Sequence, residues 1–99
     1  MIKYLDESIF IDFEYIDGVI EPEYRAFYSI KDIEKKVVKT AELDRSDDNT
    51  TFELRIKSGE LEELKPGNYK LEVSVENDEI GYKDYIYNED LILRRQNGS

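Results

Sequence analysis

The chain has 99 residues, with 24 Asp and Glu against 14 Lys and Arg, no Cys, no His, no Trp and a formal net charge of −10. That length fits one domain with one core, and the missing Cys and His exclude a disulfide framework, a thiolate metal site and the commonest general base. The acidic balance repels phosphate backbones and anionic membranes, so neither direct nucleic-acid binding nor membrane association is expected.

Met1-Ile2-Lys3-Tyr4-Leu5-Asp6-Glu7 reaches acidic residues with no apolar h-region, unlike a signal peptide. No apolar run approaches the length of a bilayer span, and a cytoplasmic protein is expected. Ser8 to Ile16 then alternates. Ile9, Ile11, Phe13 and Tyr15 share one face and Phe10, Asp12, Glu14 and Ile16 the other, the period of a strand. Asp17-Gly18 ends it, and Pro22 argues against pairing in the connection that follows. Tyr24 to Ile30 alternates again, with Tyr24, Ala26, Tyr28 and Ile30 together.

Ile33, Val37 and Ala41 fall at helical spacing, but Val37, Val38 and Thr40 are β-branched and no helix cap precedes them. The segment reads as a hairpin turn over 32–35 and a strand over 36–43. Asp44 to Asn49 is a polar loop, and Thr50 to Lys57 a strand with Phe52, Leu54 and Ile56 inward. Ser58 to Leu64 reads as one helical turn, capped by Ser58, with Leu61 and Leu64 facing the sheets.

The stretch from Leu64 to Val75 is the most informative. Pro66 fixes φ, and Gly67 is expected to supply a positive φ for a tight turn. Tyr69, Leu71, Val73 and Val75 then alternate with polar residues. A Tyr at the start of a strand, just after such a bend, fits the tyrosine corner of immunoglobulin-like sandwiches. Leu64, Pro66, Gly67 and Tyr69 are its expected members. Asn77 to Glu79 is a turn, and Tyr82 to Tyr87 a strand with Tyr85 and Tyr87 opposite Ile86. Asn88 to Asp90 turns again, Leu91 to Arg94 is a last short strand, and 95–99 is a polar tail. The fold expected is all-β: an immunoglobulin-like antiparallel β-sandwich of about seven strands with one short helical turn, a single domain over 1–94.

No catalytic, cofactor or metal residue is assigned. The adjacent carboxylates (Glu62-Glu63, Asp47-Asp48, Asp78-Glu79, Glu89-Asp90) read as solvated turn residues, not as an acid–base pair in an apolar cleft. Asp44-x-x-Asp47-Asp48-Asn49 offers oxygen ligands but lacks the EF-hand order, with no Gly at the sixth position and Arg55 at the twelfth. Tyrosine is enriched at protein interfaces, and of the eight present Tyr82, Tyr85 and Tyr87 are the candidate partner contacts. Lys31, Lys35, Lys36 and Lys39 cluster on the hairpin, away from the acidic N-terminal part, which would permit head-to-tail self-association. Edge lysines that block strand pairing explain the same cluster more simply.

The alternating strand Ile9 to Tyr15, the segment Ala26-Phe27-Tyr28-Ser29-Ile30-Lys31-Asp32, the loop and strand from Asp44 to Ile56, and Glu63-Leu64-Lys65-Pro66-Gly67-Asn68-Tyr69-Lys70-Leu71 occur in a familiar order. In that order the chain resembles the small immunoglobulin-like domains of tailed-phage and prophage structural proteins, above all the N-terminal domain of the baseplate upper protein family. The resemblance implies a non-enzymatic virion or accessory protein that docks to other virion proteins or to itself, in the host cytoplasm and then in the particle. The acidity supports a different expectation, a small cytosolic inhibitor that mimics nucleic acid, of the anti-restriction or anti-CRISPR type. A carbohydrate-binding sandwich is a third, which the lack of Trp weakens.

Overall fold

The computed structural model describes residues 1–96, and 97–99, the end of the expected polar tail, lie outside them. Among the described residues eight strands follow one another: β1 Ile2–Tyr4, β2 Ile9–Glu14, β3 Arg25–Lys31, β4 Val37–Glu42, β5 Asp44–Arg45, β6 Thr51–Ile56, β7 Gly67–Asn77 and β8 Tyr82–Arg94. They form two sheets, a five-stranded one ordered β1-β8-β7-β3-β4 and a three-stranded one ordered β2-β6-β5. All pairings are antiparallel except β1 with β8. This is the β-sandwich that the alternating pattern predicts. Among the described residues no helix is long and apolar enough to cross a membrane.

Alternation puts one face of each strand between the sheets. Ile9 of β2 and Phe52, Leu54 and Ile56 of β6 meet Ala26, Tyr28 and Ile30 of β3, Leu71 and Val73 of β7, and Leu91 and Leu93 of β8 in one buried cluster. The outer face of the larger sheet is polar and internally paired, with Lys31 bound to Glu72 at 3.0 Å and Arg25 to Glu42 at 2.7 Å. The 32–35 turn forms as expected: the Asp32 carboxylate accepts the backbone N–H groups of Glu34 and Lys36.

Several expectations need correction. Residues 58–63 form no helix but a chain of tight turns, in which Glu60, Glu62 and Leu64 N–H donate to the carbonyls three residues earlier. Ser58 caps nothing; its hydroxyl donates to the Asp6 carbonyl. Leu61 is nonetheless fully buried, as its spacing from Leu64 implies. Gly67 has the expected positive φ, at 159°, but in nearly extended backbone and not in a tight turn, because it is the first residue of β7 and pairs with Leu93. The bend therefore belongs to the residues before it. Asn88 to Asp90 is not a turn, since β8 runs through it against Glu72, Leu71 and Lys70. Two short strands, β1 and β5, lie in stretches whose sequence marks no strand.

The corner itself is present. The Tyr69 hydroxyl donates to the Lys65 carbonyl at 2.6 Å, tying the start of β7 to the residues that lead into it. Replacing Tyr69 by Phe keeps the ring and removes this bond. It should cost about 0.5–1.5 kcal/mol in urea unfolding, with the fold retained.

Tyr28 is buried, and burial, followed by the nearby Glu60 and Glu63 carboxylates, pushes its hydroxyl up to about 12. A folded value above the unfolded one favours the native state while the phenol stays protonated. This contribution is complete below pH 10 and is lost as pH rises through about 12. Urea midpoints measured across that range should fall less steeply in Tyr28→Phe than in the parent.

Candidate functional site

At the end of the sandwich opposite the Tyr69 corner, an apolar groove of about 670 Å³ lies between the β2–β3 connection and the first half of β8. Phe13 ends the inward row of β2, and Phe52 of β6 and Val75 of β7 line the groove with it. Tyr15, Val19 and Ile20 come from the connection, Tyr24 from just before β3, and Tyr82 and Ile86 from β8, while Glu14 and Glu21 add carboxylates. The volume falls inside the rough 300–1,000 Å³ range of small-molecule and side-chain pockets.

The connection is held firmly enough to act as a wall. Tyr15 N–H donates to the Thr50 carbonyl and Ile20 N–H to the Asn49 carbonyl, both at 2.7 Å. Ile20 is buried beneath, as an anchor. The guanidinium of Arg45, on β5, donates to the carbonyls of Ile20, Glu21 and Tyr24 while lying over the Phe52 ring. One cation thus satisfies three backbone acceptors in a segment that has no ladder of its own. The Asp44–Asn49 loop, weighed above as a calcium site, has a structural task. The Asp48 carboxylate accepts the hydroxyls of Ser46 and Thr50 at 2.7 and 2.8 Å, and these bonds hold its pKa below the ordinary carboxylate value. Among the described residues no three His, Cys, Asp or Glu side chains converge as metal ligands.

The opposite wall is shaped by a β-bulge. Val73 pairs with Tyr87 and Ser74 with Tyr85, leaving Ile86 as an extra residue. The bulge breaks the expected alternation, in which Tyr85 and Tyr87 share a face opposite Ile86. Instead Ile86 lines the groove and Tyr87 meets Phe13 edge-on at 5.5 Å, while Tyr85 sits on the outer sheet face beside Lys83. Tyr82 packs edge-on against Tyr24 at 5.8 Å, and its hydroxyl is raised by burial and then by neighbouring Asp84. The three candidate tyrosines therefore split: Tyr82 in the groove, Tyr87 half-buried behind it, Tyr85 outside. Leu64, Pro66, Gly67 and Tyr69 lie at the far end of β7 and take no part. Phe13, Tyr15, Val19, Tyr24 and Ile86 were not singled out from sequence. The one signal for them is a run of apolar residues in a turn-rich connection, where Ile16 is 86% and Val19 63% exposed.

No family model matches the chain, and no curated protein matches it. Among solved structures it is similar to CopC from Methylosinus trichosporium OB3b, at 18% sequence identity and a TM-score of 0.57, over 97% of this chain and 86% of that one. At that identity the likeness speaks for the β-sandwich fold alone. The expected role as a phage or prophage virion protein is not upheld: the solved structure it resembles is a CopC from a bacterium, and nothing in the comparisons points to a phage protein. The alternative, a nucleic-acid mimic, gains no support either. The physical reason is plain in the Tyr69 to Lys65 bond. A Leu-x-Pro-Gly-x-Tyr corner is a solution to a chain geometry, available to any sandwich that starts a strand this way.

If Arg45 holds the wall, Arg45→Met should leave the strands intact and loosen the connection. Amide exchange at Ile20 and Tyr24 should accelerate selectively, and urea unfolding should show a loss of about 1–3 kcal/mol.

Proposed function

We propose that the chain is a non-catalytic binding domain whose end groove receives an apolar group of another molecule. The observation that carries this reading is the groove itself: about 670 Å³, walled by aromatic and aliphatic side chains from three separated parts of the sequence and braced by Arg45. A sandwich with nothing to bind has no need to keep Val19 and Ile86 partly uncovered beside Tyr15 and Tyr82. Rigid aromatic rings lose little conformational entropy on binding, which suits them to hold a partner. The groove's polar groups are carboxylates and tyrosine hydroxyls near its walls, an arrangement that orients a ligand. Metal handling is not part of the proposal. The chain has neither His nor Cys and a single Met, Met1, too few soft ligands to build a soft-metal site.

The neutral fluorescent probe N-phenyl-1-naphthylamine tests the reading directly. Its emission should rise with the parent protein, and affinity should fall roughly tenfold in Val19→Asp and in Ile86→Asp. Both residues are substantially exposed, so neither change should unfold the domain. Phe10→Asp, which alters an exposed ring away from the groove, should leave binding unchanged. Equal probe binding by the parent and both groove variants would refute the reading.

A further inference from the structure

We infer that the groove and the uncovered edge of β8 act together, and that their occupant is an extended, cationic protein segment that adds to the larger sheet as a further strand. The inference rests on the binding reading above and names the partner for the same site.

The edge comes first. β8 is 13 residues long and pairs with β7 along one side from Tyr82 to Leu93. On its other side β1 covers only Ile92 to Arg94, and the Met1 amine reaches the Asp90 carbonyl. From Tyr82 to Asn88 the outer side of β8 has no strand partner among the described residues. At about 3.3 Å per residue this leaves roughly 23 Å of open backbone, the length of an ordinary strand. The groove adjoins this stretch, since Tyr82 and Ile86 belong to both. A strand laid along β8 would aim every second side chain towards the groove, so backbone bonds would give affinity and the groove would select apolar side chains.

The charge of the occupant follows from where the net charge of this chain lies. Segments 12–24 and 78–90, which supply most of the groove walls and the open edge of β8, carry ten carboxylates and one cation of their own, Lys83, while Arg45 reaches the wall from β5. The remaining 73 residues carry 14 carboxylates and 13 cations and are nearly neutral. Eight of the ten carboxylates make no ion pair among the described residues; the exceptions are Asp12 with Arg55 and Asp90 with Lys70. The field around the groove and the open edge is therefore negative, while the rest of the chain is close to balanced. Nucleic acid and anionic lipid are repelled, and so is a second copy of this edge. The Ile86 bulge and the edge carboxylates guard against self-pairing, yet the same charges attract a strand bearing Lys or Arg.

The test uses a ten-residue peptide that alternates Lys with Val and Phe, capped at both ends, titrated into the isotopically labelled full chain. Binding should weaken as salt rises, and amide exchange should slow selectively between Tyr82 and Asn88. The same peptide with alternate backbone nitrogens methylated should bind at least roughly tenfold more weakly, because charge and side chains remain while strand pairing is lost. A Glu-for-Lys peptide should not bind, and Asp78→Asn with Glu79→Gln, carboxylates of the acidic segment that do not line the groove, should weaken the Lys peptide without altering N-phenyl-1-naphthylamine binding. Equal binding of the methylated and unmethylated peptides, or equal protection of the edge amides by spermine, would overturn strand addition. If the naphthylamine fills the groove and the peptide does not bind, this inference fails and the binding reading stands. If neither binds, both fail.

Discussion

The burial of Leu71 and Val73, both fully inaccessible, against the Ile9, Leu54 and Ile56 side of the sandwich is the contact on which the other elements depend. β7 lies between β3 and β8 in the larger sheet, so its inward residues fix the height and register of both neighbours. A one-residue slip of β7 would carry Leu71 and Val73 to the wet face. The Tyr69 hydroxyl bond sets where β7 begins, and from there the period of two carries the pattern to Val75 at the groove. The corner and the groove are thus the two ends of one strand: one pins the register, the other uses it.

The groove depends on a second kind of support. A connection of ten residues between β2 and β3 runs over the end of the sandwich, and without side-chain help its carbonyls would rely on water alone. Arg45 supplies that help from β5, a strand of only two residues whose importance lies in where it places one guanidinium. Lys could not satisfy three carbonyls and cover the Phe52 ring at once, because it lacks the planar fork. The Ser46, Asp48 and Thr50 network stiffens the neighbouring loop, whose Asn49 and Thr50 carbonyls receive the other bonds from the wall.

The sequence displays those parts of this fold that are regular over six residues or so. β2, β3, β6 and β7 each alternate visibly, and the corner has its own local chemistry. β1 and β5 are too short for any period to show. β8 is long but hidden, because a bulge at Ile86 shifts its phase and Asn88-Glu89-Asp90 has a turn's composition in an edge strand with a solvated flank. The groove was not legible for a different reason. Its walls come from Phe13 to Tyr24 and from Tyr82 to Ile86, segments that only the sandwich topology brings together. The virion expectation failed because it rested on an order of strands and a corner, features of chain geometry that say nothing about what the other end of the sandwich holds.

The parallel pairing of β1 with β8 has a practical consequence for anyone who handles this protein. Because Ile2 lies beside Ile92 and the Met1 amine bonds the Asp90 carbonyl, the direction of β1 points backwards along β8 towards Tyr82. Residues appended ahead of Met1 would be led onto that same backbone at the high effective concentration of a tethered chain. An amino-terminal affinity tag, above all a basic one, would become an intramolecular plug, so handles for purification or immobilisation belong at the carboxyl end.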